Sequence, residues 1–376
     1  MTINLRALLE EMIEKDASDL HVTAGERAKL RVDGDIVNAS TPDVLTPKDT
    51  LSLAYSVLTE NQKKRFETED ELDFSFGIQN LARFRGNVFK QRGCVAIVIR
   101  MIPFNVRTFQ DLGLPPVMAR LAERPRGLIL VTGPTGSGKS TTLAAVLDKV
   151  NKERRGHIIT VEDPIEFIHR HQGCIVNQRE AGTDTKTFAA ALKYALRQDP
   201  DVVLIGEMRD LETIQAGLTI AETGHLAFAT LHTNSCAETI NRVIDVFPAH
   251  QQAQVRAQLS FVLEAVITQI LLPKAKGKGR VMACEIMICT PAIRALIRDD
   301  KVHQITSSMQ AGKKFGMQTM NDSLYVLYMN REVTLDECLR GTSEPAEFLR
   351  MVGEPVPGDE ETKMPKDRPL TGGLKR

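Results

Sequence analysis

Residues Gly133-Pro134-Thr135-Gly136-Ser137-Gly138-Lys139-Ser140 fill every fixed position of the pattern G-x-x-x-x-G-K-[ST]. That pattern works only with a strand before it and a helix after it, so it restricts the fold more than any other stretch. Both flanks are present. Gly127-Leu128-Ile129-Leu130-Val131-Thr132 is an apolar, β-rich run that reads as a buried parallel strand. Thr141 through Val150 is apolar at helical spacing. In this order the glycines let backbone N–H groups curl around phosphates, and the helix N-terminus adds its positive dipole end. The expected nucleotide-binding segment is Gly133 through Thr141, with Lys139 reaching the β- and γ-phosphates and Ser140 ligating Mg²⁺. A nucleoside triphosphate is the expected ligand.

At 376 residues the chain exceeds one comfortable core, and two domains are expected. Lys+Arg and Asp+Glu are equal at 48 each, so no overall field favours nucleic acid or an anionic membrane. The 6 cysteines are scattered without a C-x-x-C pair, which argues against a zinc site or a disulfide framework and fits a reducing cytoplasm. The first residues turn acidic at once, unlike a signal peptide. No run approaches the roughly 18 apolar residues of a membrane span, so any membrane role is expected to come through a partner.

Taken in order, residues 2–16 predict an amphipathic helix with Ile3, Leu5, Leu8, Leu9, Met12 and Ile13 on one face. Residues 29–37 alternate around Asp33-Gly34 and predict a β-hairpin. A single helix is expected over 47–67, then two strands, one running from 73–76 into 83–89 and one at 94–100, giving a small α+β domain at 1–101. Pro103, Gly113, Pro115 and Pro116 mark a linker at 102–116. Beyond it strands and helices alternate: β 127–132, α 139–151, β 157–161, α 185–197, β 201–205, α 210–221, β 225–231. That rhythm predicts an α/β domain with a mostly parallel sheet covered on both faces. From 236 onward the expectation is helical, with the longest helix at 249–271 and a solvated basic connection at 274–280. The Pro-, Gly- and charge-rich tail, 346–376, is expected to be disordered.

A phosphate loop needs carboxylates beside it, for Mg²⁺ and for the attacking water. Two apolar strands end in acids: Ile158-Ile159-Thr160-Val161-Glu162-Asp163, stopped by Pro164, and Val202-Val203-Leu204-Ile205-Gly206-Glu207. A carboxylate at such a strand end could orient and deprotonate water. His225 and His232 flank the strand 226–231 and fall on opposite faces of it, so they do not share a metal. Read from the residues alone, each is either structural or a sensor of the γ-phosphate. Arg83, Arg85 and Arg100 lie far from the phosphate loop in sequence and read as ordinary surface charge, although an arginine from a neighbour can meet developing phosphoryl charge.

With these residues set out, the chain resembles the type II/IV secretion ATPases. Gly133–Ser140, Ile159–Glu166, Ile205–Asp210 and Gly224–Asn234 are similar, in order, to that family's Walker A, Asp box, Walker B and His box. Ala17-Ser18-Asp19-Leu20-His21 with Leu30-Arg31-Val32-Asp33-Gly34 resembles the opening of the PilT-type pilus retraction ATPases. Ala292-Ile293-Arg294-Ala295-Leu296-Ile297-Arg298-Asp299 resembles that subfamily's A-I-R-N-L-I-R-E signature, with Ala295 for Asn and Asp299 for Glu.

The resemblance implies a homohexameric ring. Its subunit would have a PAS-like domain at 1–101, a RecA-like P-loop ATPase domain at 117–290 and a helical C-terminal region at 291–345. Glu162 would be the catalytic base and Glu207 the Mg²⁺-side carboxylate. His225 and His232 would be the His-box pair, and Arg85 and Arg100 the arginines aimed at the phosphates, with Arg83 a possible substitute. Closure of the two domains about the linker would turn hydrolysis into motion. The motor would sit at the cytoplasmic face of the inner membrane, engage the pilus platform protein and drive pilin disassembly. Residues 292–299 would serve retraction rather than hydrolysis, although Ile293, Leu296 and Ile297 read as core packing. An assembly or secretion ATPase is the alternative direction, disfavoured by the absence of a tetracysteine set and of a longer N-terminal region. A RecA-like DNA-dependent ATPase is disfavoured by balanced charge, no tryptophan and 5% aromatics. A nucleotide-regulated scaffold is disfavoured by the intact Lys139, Glu162 and Glu207.

Overall fold

The computed structural model describes residues 4–32, 34–40, 43–79, 81–102 and 106–356. Ile3, Asp33, Pro103 and the tail beyond 356, all of which carried expectations, lie outside the described residues. The fold is α/β and divides into two compact units. The first comprises 1–111, 118–128 and 140–230; the second comprises 112–117, 129–139 and 231–376.

The first unit opens with the helix Leu5–Glu14, capped by Asn4 and burying Leu5, Leu8, Leu9 and Met12. Six antiparallel strands follow: β1 (Asp19–Val22), β2 (Lys29–Val32), β3 (Asp35–Asn38), β4 (Glu71–Ile78), β5 (Ala82–Gln91) and β6 (Cys94–Ile102). They are ordered β3-β2-β1-β6-β5-β4 around a core that includes Leu9, Leu20, Phe66, Phe84, Ile97 and Ile99. The single helix expected over 47–67 is two, Pro47–Tyr55 and Glu60–Glu69. Each starts with its own capping box, Thr46 with Asp49 and Thr59 with Gln62. The second cap satisfies donors that a continuous helix would have spent internally.

β7 (Gly127–Thr132) is buried along its whole length and leads into the helix Lys139–Glu153. The first unit also holds β8 (His157–Glu162), β9 (Ile175–Glu180), β10 (Val202–Ile205) and nearly all of β11 (Leu226–Leu231). These are mutually parallel in the order β11-β10-β8-β9. The expected parallel rhythm holds here, and β9 adds a strand that it did not include. The helix Leu211–Glu222 is capped by Asp210 and buries Ile214, Leu218 and Ile220.

The second unit departs most from expectation. The helix Ala249–Val262 gives way at Leu263 to β12 (Leu263–Pro273), which pairs antiparallel with β13 (Arg280–Ile288). The longest described helix is Lys139–Glu153, not 249–271. A buried apolar run does not reveal its period, and Val266, Ile267, Thr268 and Ile270 are the β-branched residues that decide for strand. Residues 274–279 of the basic stretch are the exposed connection of this hairpin, closed by Lys274 N–H donating to the Gly279 carbonyl, and Arg280 opens β13.

The C-terminal region is helical as expected. It continues past 345 into the helix Pro345–Val352, so the expected disorder from 346 is corrected by Phe348, which is buried with Leu272, Leu324 and Cys338. Among the described residues no helix is long and apolar enough to cross a membrane.

Candidate active site

The phosphate loop belongs to the second unit through Lys139. Gly133, Gly136 and Gly138 have φ of 135°, 79° and 89°, a region that side chains disfavour. At Gly133 space is closed as well: a Cβ would stand 2.2 Å from the Gln269 carbonyl oxygen. Gln269 on β12 is buried, and its Nε2 donates to the Ser137 carbonyl at 2.7 Å. Beside it, the Thr132 and Thr268 hydroxyls meet at 2.8 Å. The hairpin is therefore the floor on which the loop rests. Lys139 is buried, and its Nζ donates to the carbonyls of Gly133 at 2.8 Å and Pro134 at 3.1 Å. Pro134, Thr135 and Gly136 form the exposed crest. Ser137 Oγ is buried without a hydrogen-bond partner among the described residues, a hydroxyl that a phosphate oxygen would satisfy. Ser140 and Thr141 occupy the first turn of the following helix, where backbone N–H groups lack intrahelical partners.

In the first unit, parallel pairing brings the two expected acids to neighbouring strand ends. Val161 of β8 is in register with Ile205 of β10, so Glu162 and Gly206-Glu207 follow side by side. Gly206 permits the approach: its N–H donates to the Val161 carbonyl at 2.8 Å, and a Cβ would lie 3.1 Å from Glu162 Cα. Glu162 is 9% exposed. Its carboxylate accepts from Thr160 Oγ1 at 2.6 Å and Gln178 Nε2 at 3.2 Å. Burial raises its pKa above the usual carboxylate value, against the opposing pull of those hydrogen bonds. A raised pKa at a strand end suits proton acceptance near neutral pH. Glu207 is half-buried and pairs with Arg209 at 2.8 Å. The Ser140 hydroxyl and the Glu207 carboxylate are hard oxygen donors, the type that suits Mg²⁺.

The arginines separate into two kinds. Arg85 on β5 is directly opposite Arg100 on β6, and Ser75 on β4 is opposite Arg85, so all three share one face of the sheet. Arg100 Nε donates to Asp19 at 2.8 Å and keeps an exposed side chain. Burial works to raise the Asp19 pKa, yet the Arg100 and Ser18 hydrogen bonds bring it below the usual value. Arg85 stands 3.8 Å from Asp73 and lines a cleft of ≈ 770 Å³ whose other walls include Asp163, Glu180 and Arg209. Arg83 points instead to Ser75 at 2.7 Å and to Glu180 at 3.5 Å. It is an internal strut.

The two histidines stand at opposite ends of β11. His225 precedes β11, and its Nδ1 lies 3.0 Å from Thr223 Oγ1 and 3.1 Å from the Ile220 carbonyl. Glu162 and Glu207 sit at the C-terminal ends of parallel neighbours, so a strand of 6 residues, roughly 20 Å, separates His225 from that edge. There it clamps the turn that leads into β11. His232 follows the other end of β11 and is exposed. Gln178, Glu180 and Gln269 complete the surroundings of the expected residues, and none was foreseen.

The type II/IV secretion system protein family model matches residues 1–340. The "Type IV pilus retractation ATPase PilT" of Pseudomonas aeruginosa is 50% identical over 346 residues, covering 92% of this chain and 100% of that protein. A "Twitching motility protein" of Neisseria gonorrhoeae is 47% identical over 316 residues, covering 82% of this chain and 84% of that one. Among solved structures, that of the pilus retraction motor PilT with bound ADP superposes with a TM-score of 0.88 at 50% identity, covering 93% of this chain and 99% of that one.

Proposed function

The chain belongs to the type II/IV secretion system protein family, and on that footing we propose that it is a homohexameric motor coupling ATP hydrolysis to type IV pilus retraction. It is an ATPase. The single observation that carries the direction of the motor is the match along the whole length of a retraction ATPase, at 50% identity. In this reading residues 1–101 are a PAS-like domain, 102–116 a linker and 117–290 a RecA-like ATPase domain. The helical region from 291 continues to Val352. The motor works at the cytoplasmic face of the inner membrane, engages the pilus platform protein and drives pilin disassembly. The 292–299 helix serves that coupling.

The chemistry is in-line attack of water on the γ-phosphate. The Gly133–Thr141 amides cradle the phosphates, and Lys139 leaves its two loop carbonyls to meet the β- and γ-phosphates. Glu162 orients the water and takes its proton, with Thr160 and Gln178 fixing the carboxylate. Ser140 and Glu207 would hold Mg²⁺, which supplies charge neutralisation at the phosphates when bound. Arg85 and Arg100 offset charge that develops in the transition state. Arg83 is unsuited to that task because Ser75 and Glu180 already hold it. The test is Arg85→Ala assayed for ATP turnover and for ATP binding. Turnover should be lost, by about 10³-fold for an arginine that meets the phosphoryl charge, while binding survives. An unchanged kcat removes Arg85 from the mechanism.

A further inference from the structure

Glu180, the last residue of β9, is a buried carboxylate at 3% exposure. Buried charge persists where it is paired and its lone pairs are filled, and here both conditions are met. Oε1 accepts from Ser75 Oγ at 2.6 Å and from Thr183 Oγ1 at 3.1 Å. Oε2 accepts from the Ile165 N–H at 3.1 Å and faces Arg83 Nη2 at 3.5 Å. Arg83 Nη2 in turn donates to Ser75 Oγ at 2.7 Å, closing a three-membered network.

The partners come from two places. Ser75 and Arg83 sit on β4 and β5 of the six-stranded sheet. Ile165 and Thr183 sit on the loops that leave β8 and β9. Each carboxylate oxygen therefore has one partner on the antiparallel sheet and one beside the carboxylate edge of the parallel strands. Glu180 is also in register with Glu162, and Ala181 N–H donates to the Glu162 carbonyl at 2.9 Å. The turn 162–166 is thus gripped at Glu162 through the backbone and at Ile165 through the Glu180 side chain. Stability alone explains this arrangement poorly, since a buried ion pair often contributes little beyond a well-packed apolar substitute.

We propose that Glu180 is a positioning residue through which Ser75 and Arg83 of the amino-terminal sheet set the placement of the turn that carries Glu162 during hydrolysis. The inference rests on the reading of Glu162 as the base. A shift of the antiparallel sheet acts on Ser75 and Arg83 first, and Glu180 passes it to Ile165. Catalytic geometry is sensitive at this level, because displacement of a reacting group by about 1 Å can cost on the order of 10²-fold in rate.

The test uses the full-length protein, with kcat and KM for ATP and the affinity for a fluorescent ATP analogue measured for Ser75→Ala, Glu180→Gln, the double variant and Glu162→Ala. Ser75→Ala is mild enough to leave folding intact, and it should lower kcat about tenfold with KM within about twofold. Glu180→Gln should lose at least as much. The double variant should be no worse than Glu180→Gln, because members of one network do not add. Normal kcat in Ser75→Ala, or multiplicative losses in the double variant, would overturn the proposal. If Glu162→Ala is inactive while both other single variants turn over like wild type, Glu180 alone loses its role. If Glu162→Ala turns over normally, the reading of the base falls, and this inference with it.

Discussion

At Glu162 the fold works against the ionised form. Burial raises its pKa, so the native state binds the protonated carboxyl more tightly than the unfolded chain does. Stability from that preference is fully present below the unfolded pKa and is lost as pH rises through the folded value, so near neutrality the ionised Glu162 is a cost. Glu162→Gln keeps an oxygen that can accept from Thr160 and removes the charge. The variant should melt at a higher temperature than wild type near pH 7, while kcat falls by about 10²–10⁴-fold, the usual contribution of a general base. The wild-type kcat/KM profile should lose activity on the acid side at a pH above the ordinary carboxylate range, and the variant's residual activity should lack that limb. A melting point that drops, or an acid limb that persists in Glu162→Gln, would contradict this account of the residue. Glu162 was legible in the sequence as an acid at the end of its own strand, and Lys139 as a fixed position of the glycine-loop pattern. Arg85 and Arg100 were legible only through family resemblance, since nothing local distinguishes them from surface charge.

Among the elements, the β12–β13 hairpin explains both a misreading and a function. Its first strand is apolar and mostly buried, so its period is hidden, and a helix over 249–271 was the natural expectation. That expectation concealed Gln269, whose contact with Ser137 spans 132 residues of sequence. Glu180 was concealed in the same way: its partner Ser75 lies 105 residues away, and β9 is too polar beyond Val176 to announce a strand. The phosphate loop was readable because strand, glycines and helix are contiguous. Gln269→Ala should leave the buried Ser137 carbonyl unpaired, at a cost of about 1–3 kcal/mol. Part of that loss should appear as weaker loop ordering, with ATP-analogue affinity down about tenfold and kcat at saturating ATP changed less. Titration with a fluorescent ATP analogue measures it. Wild-type affinity in that variant would mean that the hairpin does not hold the loop.

The C-terminal motif helix shows the same mixture of legible and hidden. Ile293 and Ile297 are buried, as core packing predicted. Arg294 is more specific: it donates to the carbonyls of Ser260 and Phe261 at 2.7 Å each and to Glu264 at 2.7 Å. It thereby caps the end of the helix Ala249–Val262, where carbonyls lack intrahelical partners. That placement gives the motif's arginine a structural task close to the start of β12. The family resemblance had marked it only for coupling.

At the scale of the whole molecule, a nucleotide-binding apparatus is joined to movement of a pilus. In the proposed mechanism hydrolysis depends on Glu162, and direction is what separates a retraction motor from an assembly motor that shares the same loop and strand-end acids. The most direct measurement is pilus retraction, followed by fluorescence of labelled pili, in cells lacking this protein and supplied with wild type or Glu162→Ala. Wild type should restore retraction, and Glu162→Ala should leave pili extended and unretracted. Cells that retract normally without the protein, or that make no pili until it is restored, would contradict the retraction motor at the level of the cell.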